Sequence, residues 1–290
     1  MFSLRHSSVW VRAVLMTSLM SAIPSHGTLI LLMPTREGVV VCADRRQWNR
    51  VEGAIDTDKL FMLDQKVGFT VSGDAMLSLE IAGRLKPVFT LSERVTKFYA
   101  ERRFRDEDAQ WNELKAFLKA GYEEAHLALH APPEVSREST DDVVWEVDFI
   151  FSTNGTTAIK LVKYHQDGKV TVEPGFQAVY ITGQTQVVRR ILTPRQLVDD
   201  GFDDLRNGST EIARALNLKA AGYPTNVSVD DALVLAHTYI LASSERMHLV
   251  SSEIPLVGPV CDCAIVRKGS GFEWLQRSVD TRKAGLAFPR

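Results

Sequence analysis

The chain has 290 residues, 45% hydrophobic and 24% charged, and a formal net charge of −2. That composition belongs to a folded protein of one domain or at most two, with ample length for a core, and the near-zero charge excludes a global attraction to nucleic acid or to an anionic membrane. The three cysteines are too few for a disulfide framework.

Residues 1–27 read as a processed segment. Arg5 and Arg12 lead into an apolar stretch over residues 13–23, which Pro24 ends. The stretch is shorter than the roughly 20 residues a bilayer span needs, and it fits the h-region of a secretory signal peptide. Ser25 and Gly27 place small residues three before and one before Thr28. A propeptide or a misassigned start is the other reading, and every route of removal exposes Thr28. A signal peptide implies export, periplasmic or secreted; without one the chain is cytoplasmic.

Two apolar runs, 29–33 and 39–43, flank a Gly-containing turn and predict a hairpin. Cys42 lies in the second run, which predicts a buried free thiol. Residues 45–58 are polar and irregular, and strands are expected at 59–63 and 67–71. Ser72-Gly73-Asp74 then opens a predicted helix, with Leu77, Ile81 and Leu85 at four-residue spacing and Pro87 as its stop. Helix is expected again over about residues 91–130. Its basic-aromatic stretch Arg102, Arg103, Phe104 and Arg105 is followed at once by Asp106, Glu107 and Asp108, a solvated helix end. Its apolar stripe of Trp111, Leu114, Phe117, Leu118, Tyr122 and Ala125 is a core face, and Pro132-Pro133 ends the helical layer.

Strands return at 143–152, 157–164, 169–173 and 177–181, punctuated by the turn signals Asn154-Gly155 and Asp167-Gly168. Helices are expected over 184–206 and after Ser228, where Ser228 and Asp231 match a capping box. Strands at 260–266 and 271–276 close the pattern. Cys261 and Cys263 share a face of the first of these, but no nearby Cys or His completes a ligand set, so neither metal nor cofactor is expected. Segregated strand and helix blocks predict an α+β fold, a four-layer α/β/β/α sandwich of mostly antiparallel sheets, in one domain over residues 28–290.

The chemistry-bearing stretches are HGTLILLMPTREGVVVCADRRQ at residues 26–47 and DTDKLFMLDQKVGFTVSGDA at residues 56–75. They resemble the start of proteasome β-type subunits and their bacterial relatives HslV and Anbu, which are N-terminal-nucleophile hydrolases. Gly27 and Thr28 match the family's processing junction. Asp44 lies 16 residues after Thr28, as in the family, and Lys59 follows one residue earlier than usual, which places a deletion between 45 and 58. Ser72-Gly73 stands at the family's glycine turn, Gly183 resembles the glycine before its third helix, and the run from Val257 to Asp262 resembles the Gly-Pro start of a late Anbu strand.

The resemblance implies a threonine-type endopeptidase. A Thr hydroxyl needs a base, and a free α-amine with a reference pKa of roughly 7.7–8.0 supplies one only after cleavage. Thr28 is then nucleophile and, through its own amine, base. Lys59 disfavours the protonated amine and steadies negative charge, and Asp44 holds Lys59. The backbone N–H of Ser72 or Gly73, at a helix N-terminus, would be the oxyanion donor. By family position Gln47, Thr57, Thr70 and Asp74 would line the pocket for the residue before the cut, which favours a polar or basic side chain there.

The chain departs from the family's supporting Asp and Ser. Glu245 and Glu253 are the nearby acids, Leu256 or Val257 occupies the Ser place before the late strands, and Thr185, Gln184 or Thr182 stands at the glycine turn. The implied partners are a peptide or unfolded-protein substrate and other copies of the chain in a ring or related assembly, with an ATPase only if the chain is cytoplasmic. The rival readings are a non-catalytic structural ring subunit, a small-amide hydrolase of the same class, and an exported binding protein.

Overall fold

The computed structural model describes residues 23–24, 28–49, 53–82, 84–102, 108–129, 143–175, 179–192, 201–202, 227–250 and 256–283. Two five-stranded sheets frame it. The first has the order β13-β2-β3-β14-β15, built from Tyr180–Gly183, Leu29–Pro34, Gly38–Asp44, Val260–Arg267 and Gly271–Asp280. The second has the order β12-β11-β10-β7-β6, built from Val170–Pro174, Thr156–His165, Val143–Thr153, Val67–Gly73 and Leu60–Asp64. Every strand pairing among the described residues is antiparallel.

The unbroken apolar runs of β2 and β3 follow from burial on both faces. Leu29, Leu31, Met33, Val40 and Cys42 pack with helices α3 (Gln186–Leu192) and α4 (Val229–Arg246). Their alternates Ile30, Leu32, Val39, Val41 and Ala43 pack with Leu60 and Ile150 of the second sheet. The other face of the second sheet carries Phe69, Trp145, Val147 and Phe149 against α1 (Leu91–Arg102) and α2 (Asp108–Leu129). The stripe from Trp111 to Ala125 lies in this core. Helix α4 starts as its sequence indicates: Ser228 accepts from Asp231 N and the Asp231 carboxylate accepts in return from Ser228 N.

The expectation of a four-layer α/β/β/α sandwich is corrected. Among the described residues strand accounts for 48% and helix for 32%, with only four α-helices, which makes this a β-rich, mostly antiparallel fold. The largest local reason lies after Gly73. The helix expected there is a hairpin of β8 (Met76–Ile81) and β9 (Arg84–Thr90), which forms a third sheet with β1 (Ile23–Pro24). The four-residue spacing misled because Leu77 is buried while Ile81, on the supposed same face, is half exposed. Leu77 pairs instead with buried Phe89 across the hairpin, and Ala82 takes the positive φ that turns the chain. Pro87 sits inside β9 rather than ending a helix. Residues 46–56, expected to be irregular, contain a two-stranded ribbon of β4 (Arg46–Asn49) and β5 (Gly53–Asp56). The helix expected over 184–206 is α3, and its remainder falls mostly outside the described residues, as do Gly27, Pro132, Pro133 and Glu253.

Candidate active site

Thr28 immediately precedes β2, and the backbone around it is fixed from two sides. Its carbonyl accepts from Gln184 N at 2.7 Å. Gly183, at φ +91, allows that approach: a Cβ there would stand 1.8 Å from the Thr28 carbonyl oxygen. On the other side Leu29 N donates to Asp44 Oδ1 at 2.6 Å.

Asp44 ends β3 and is fully buried. Lys59 Nζ donates to its Oδ1 at 2.9 Å and to Arg46 O at 2.5 Å, while Arg46 N and Gly258 N donate to Oδ2 at 3.0 and 3.1 Å. All four neighbours of the carboxyl are donors, so it is an ionised acceptor. Burial raises the Asp44 carboxyl above its ordinary value and lowers the Lys59 ammonium, and their mutual attraction opposes both shifts. One oxygen, Asp44 Oδ1, thus joins the Lys59 ammonium to the peptide group next to Thr28.

A pocket opens over this centre. Thr28, Lys59 and Gly73 line it together with Gln47, Thr57, Asp58, Met76, Thr90 and Ser92. Gly73 has φ +76, and a Cβ there would lie 2.2 Å from Val144 O, so no other residue fits. No helix follows Gly73, so the expected helix N-terminus at the oxyanion position is absent: β8 begins at Met76, and Asp74 N is engaged with Val144 O. Ser72 is buried, its hydroxyl 3.3 Å from that of Thr182.

Of the four residues expected to line the pocket, Gln47 and Thr57 do so. Thr70 and Asp74 are turned away. Thr70 Oγ1 donates to Asp148 Oδ2 at 2.8 Å, and Asp74 Oδ2 accepts from Tyr122 OH at 3.2 Å within the helix-covered core. The acid on the wall is Asp58, bound to Arg45, which also reaches Asp262 at 2.5 Å. Among the supporting residues, Glu245 is exposed and Gln184 Oε1 accepts from Leu256 N at 3.1 Å. Sequence reasoning missed the donors Gln184 N and Gly258 N. Gln184 follows Gly183, and Gly258 belongs to the Gly-Pro run before β14, but backbone donors leave no side-chain signature.

The expected free thiol at Cys42 is corrected: Cys42 forms a disulfide with Cys263, its cross-strand partner. Flanking strands oppose the two residues directly, a pairing that 221 residues of separation hide in the sequence. Cys261, Cys263 and His237 gather their ligand atoms within 4.8 Å. With Cys263 in the disulfide, Cys261 and His237 remain as donors there among the described residues. Burial pushes the Cys261 thiol up to about 12, which keeps it protonated.

No family model matches the chain, and no curated protein matches it. No helix among the described residues is long and apolar enough to cross a membrane.

Proposed function

We propose that the chain is a threonine-type peptidase of the proteasome-like kind, with Thr28 as its N-terminal nucleophile after residues 1–27 are removed. The observation that carries this reading is the link Thr28–Leu29 N–Asp44 Oδ1–Lys59 Nζ at the floor of a pocket that Thr28 itself lines. A buried ammonium beside a terminal amine keeps that amine neutral, so that it accepts the hydroxyl proton. The Lys59 charge then steadies the oxyanion of the attacked amide. The leader supports the same reading. Its β1 pairs with Ser78 and Leu77 of β8, the strand whose first residue, Met76, lines the pocket. Self-cleavage would proceed by attack of the Thr28 hydroxyl on the preceding carbonyl. The resulting ester is hydrolysed to release the leader's carboxylate and a free amine. The Cys42–Cys263 disulfide supports export, because such bonds persist in oxidising compartments.

Intact mass of the full chain and of Thr28→Ala tests the proposal. Loss of residues 1–27 from the wild type alone is the expected outcome, with peptidase activity falling by about 10⁴-fold or more in the variant. Retention of the leader in both would leave Thr28 without its base and end the peptidase reading. Loss in both assigns cleavage to a signal peptidase and leaves the activity of Thr28→Ala to decide.

A further inference from the structure

Two acids of β10 take no part in the site as described. Val147 and Phe149 face the helices, so Glu146 and Asp148 face the first sheet, and both are buried. The register sets Ser72 and Lys163 on either side of Glu146, and Thr70 and Leu161 on either side of Asp148. From the facing sheet Tyr180 of β13 donates its hydroxyl to Glu146 Oε1. Lys163 Nζ lies 3.7 Å from Glu146 Oε2 and 2.9 Å from Glu173 Oε2 of β12. Thr70 Oγ1 donates to Asp148 Oδ2, while Asp148 Oδ1 has no hydrogen-bond partner among the described residues.

The groups facing the pair are therefore Lys163 from β11, Glu173 from β12, Tyr180 from β13, and the neutral Thr70 and Ser72 from β7. One ammonium, shared with Glu173, does not offset two buried carboxylates. A proton on Asp148 turns its unpartnered oxygen into a donor. Burial, followed by the negative charge of Glu146, holds Asp148 well above the usual carboxylate range.

The seam reaches Thr28 through β13. This strand is four residues long and, among the described residues, lies at a sheet edge and pairs with β2 alone. Its end presents Gly183 and Gln184 to the Thr28 carbonyl. Its ties to the second sheet include Tyr180 to Glu146 and Thr182 to Ser72, and Lys163 Nζ lies 5.8 Å from the centre of the Tyr180 ring.

We propose that Asp148 keeps a proton beside Glu146 and that the two acids clamp β13 and so position Thr28, the site staying assembled only while Asp148 keeps that proton. Both are positioning residues. The effect on activity rests on Thr28 as nucleophile; the clamp itself does not.

The test compares the full chain carrying Thr28→Ala with the same chain carrying Asp148→Asn as well, from about pH 5 to about pH 9. A raised folded-state pKa means that the folded chain binds more protons than the unfolded one. Stability therefore falls as pH rises from the ordinary carboxylate value to the raised one, and levels off above it. The expected result is a Tm that falls across this range in the first protein and falls less in the second. Measured against the base-catalysed intrinsic rate, the protection of the amides in Tyr180–Gly183 should fall about tenfold at the alkaline end only where Asp148 is present. Should Asp148→Asn fail to fold, Glu146→Gln replaces it with the same expectation. Equal pH slopes in the two proteins, or a slope difference without the change in β13 exchange, overturns the clamp. In the processed enzyme, Asp148→Asn should relieve an alkaline fall in kcat at unchanged KM. An identical fall in both enzymes overturns the link to Thr28. Absence of activity at every pH, with the stability and exchange results as expected, removes the peptidase reading and leaves the clamp standing.

Discussion

Asp44 and Asp148 are both fully buried aspartates on interior strands, yet their surroundings are opposite. Asp44 meets four donors, three from the backbone and one from Lys59. Asp148 meets one hydroxyl and a second acid, and one of its oxygens is left over. The first arrangement stabilises a charge where the proposed chemistry needs one. The second tolerates two acids only by keeping a proton. The difference teaches that the neighbours' donors, rather than burial as such, decide whether an interior carboxyl is an ion or an acid.

The comparison is broken most directly at Lys59. Lys59→Met leaves the Asp44 carboxylate buried with its backbone donors but without its counter-charge. The expected cost is about 3–5 kcal/mol of stability. Adding Asp44→Asn to that variant should recover part of the loss, because the uncompensated charge is gone, and urea unfolding of the four proteins in the cycle measures the coupling. Single losses below about 1 kcal/mol would mean that Asp44 is no more an ion than Asp148.

Glu146→Gln sharpens the comparison from the other side. The amide oxygen still accepts from Tyr180 OH, and the amide N–H can serve the oxygen of Asp148 that now lacks a donor. Only the attraction of Lys163 at 3.7 Å is lost. The expected cost by urea unfolding at about pH 6 is about 1 kcal/mol or less. A loss as large as that of Lys59→Met would make the seam an ion pair in its own right.

Much of this was legible in the sequence, and the parts that were not share a cause. The strands β2, β3 and β7 announce themselves by short apolar runs and α4 by its capping box, while Thr28, Asp44 and Lys59 stand out through the resemblance to N-terminal-nucleophile hydrolases. The hairpin after Gly73 did not, because Leu77, Ile81 and Leu85 satisfy a helical spacing while long-range pairing with β1 and burial of Phe89 decide for strand. The expected layering failed with it. The pocket wall misled similarly. Thr70 and Asp74 lie close to Gly73 in sequence, but Thr70 faces the seam between the sheets and Asp74 the helix-covered core. The disulfide and the acid seam are tertiary facts, made by registers between strands distant in the chain.

Asp58 offers a third environment for an aspartate, and the smallest expected effect. Its side chain is 44% exposed, it lines the pocket beside Thr28, and it is tied to Arg45. Water screens a charge placed so, and such charges contribute roughly 0.2–1 kcal/mol. It occupies the place that Asp74 was expected to hold, an acid on the wall of the pocket for the residue before the cut. Asp58→Asn should therefore lower kcat/KM for peptides with Lys at that position by about 2–5-fold relative to Leu, an effect that shrinks as salt is raised. Fold stability should change little, because an exposed carboxylate replaced by its amide leaves nothing buried unpaired. A peptide panel assayed at low and high salt separates the outcomes. An unchanged Lys-to-Leu ratio would mean that Asp58 serves Arg45 rather than the substrate, and that the selectivity of the pocket comes from the neutral Gln47 and Thr57 alone.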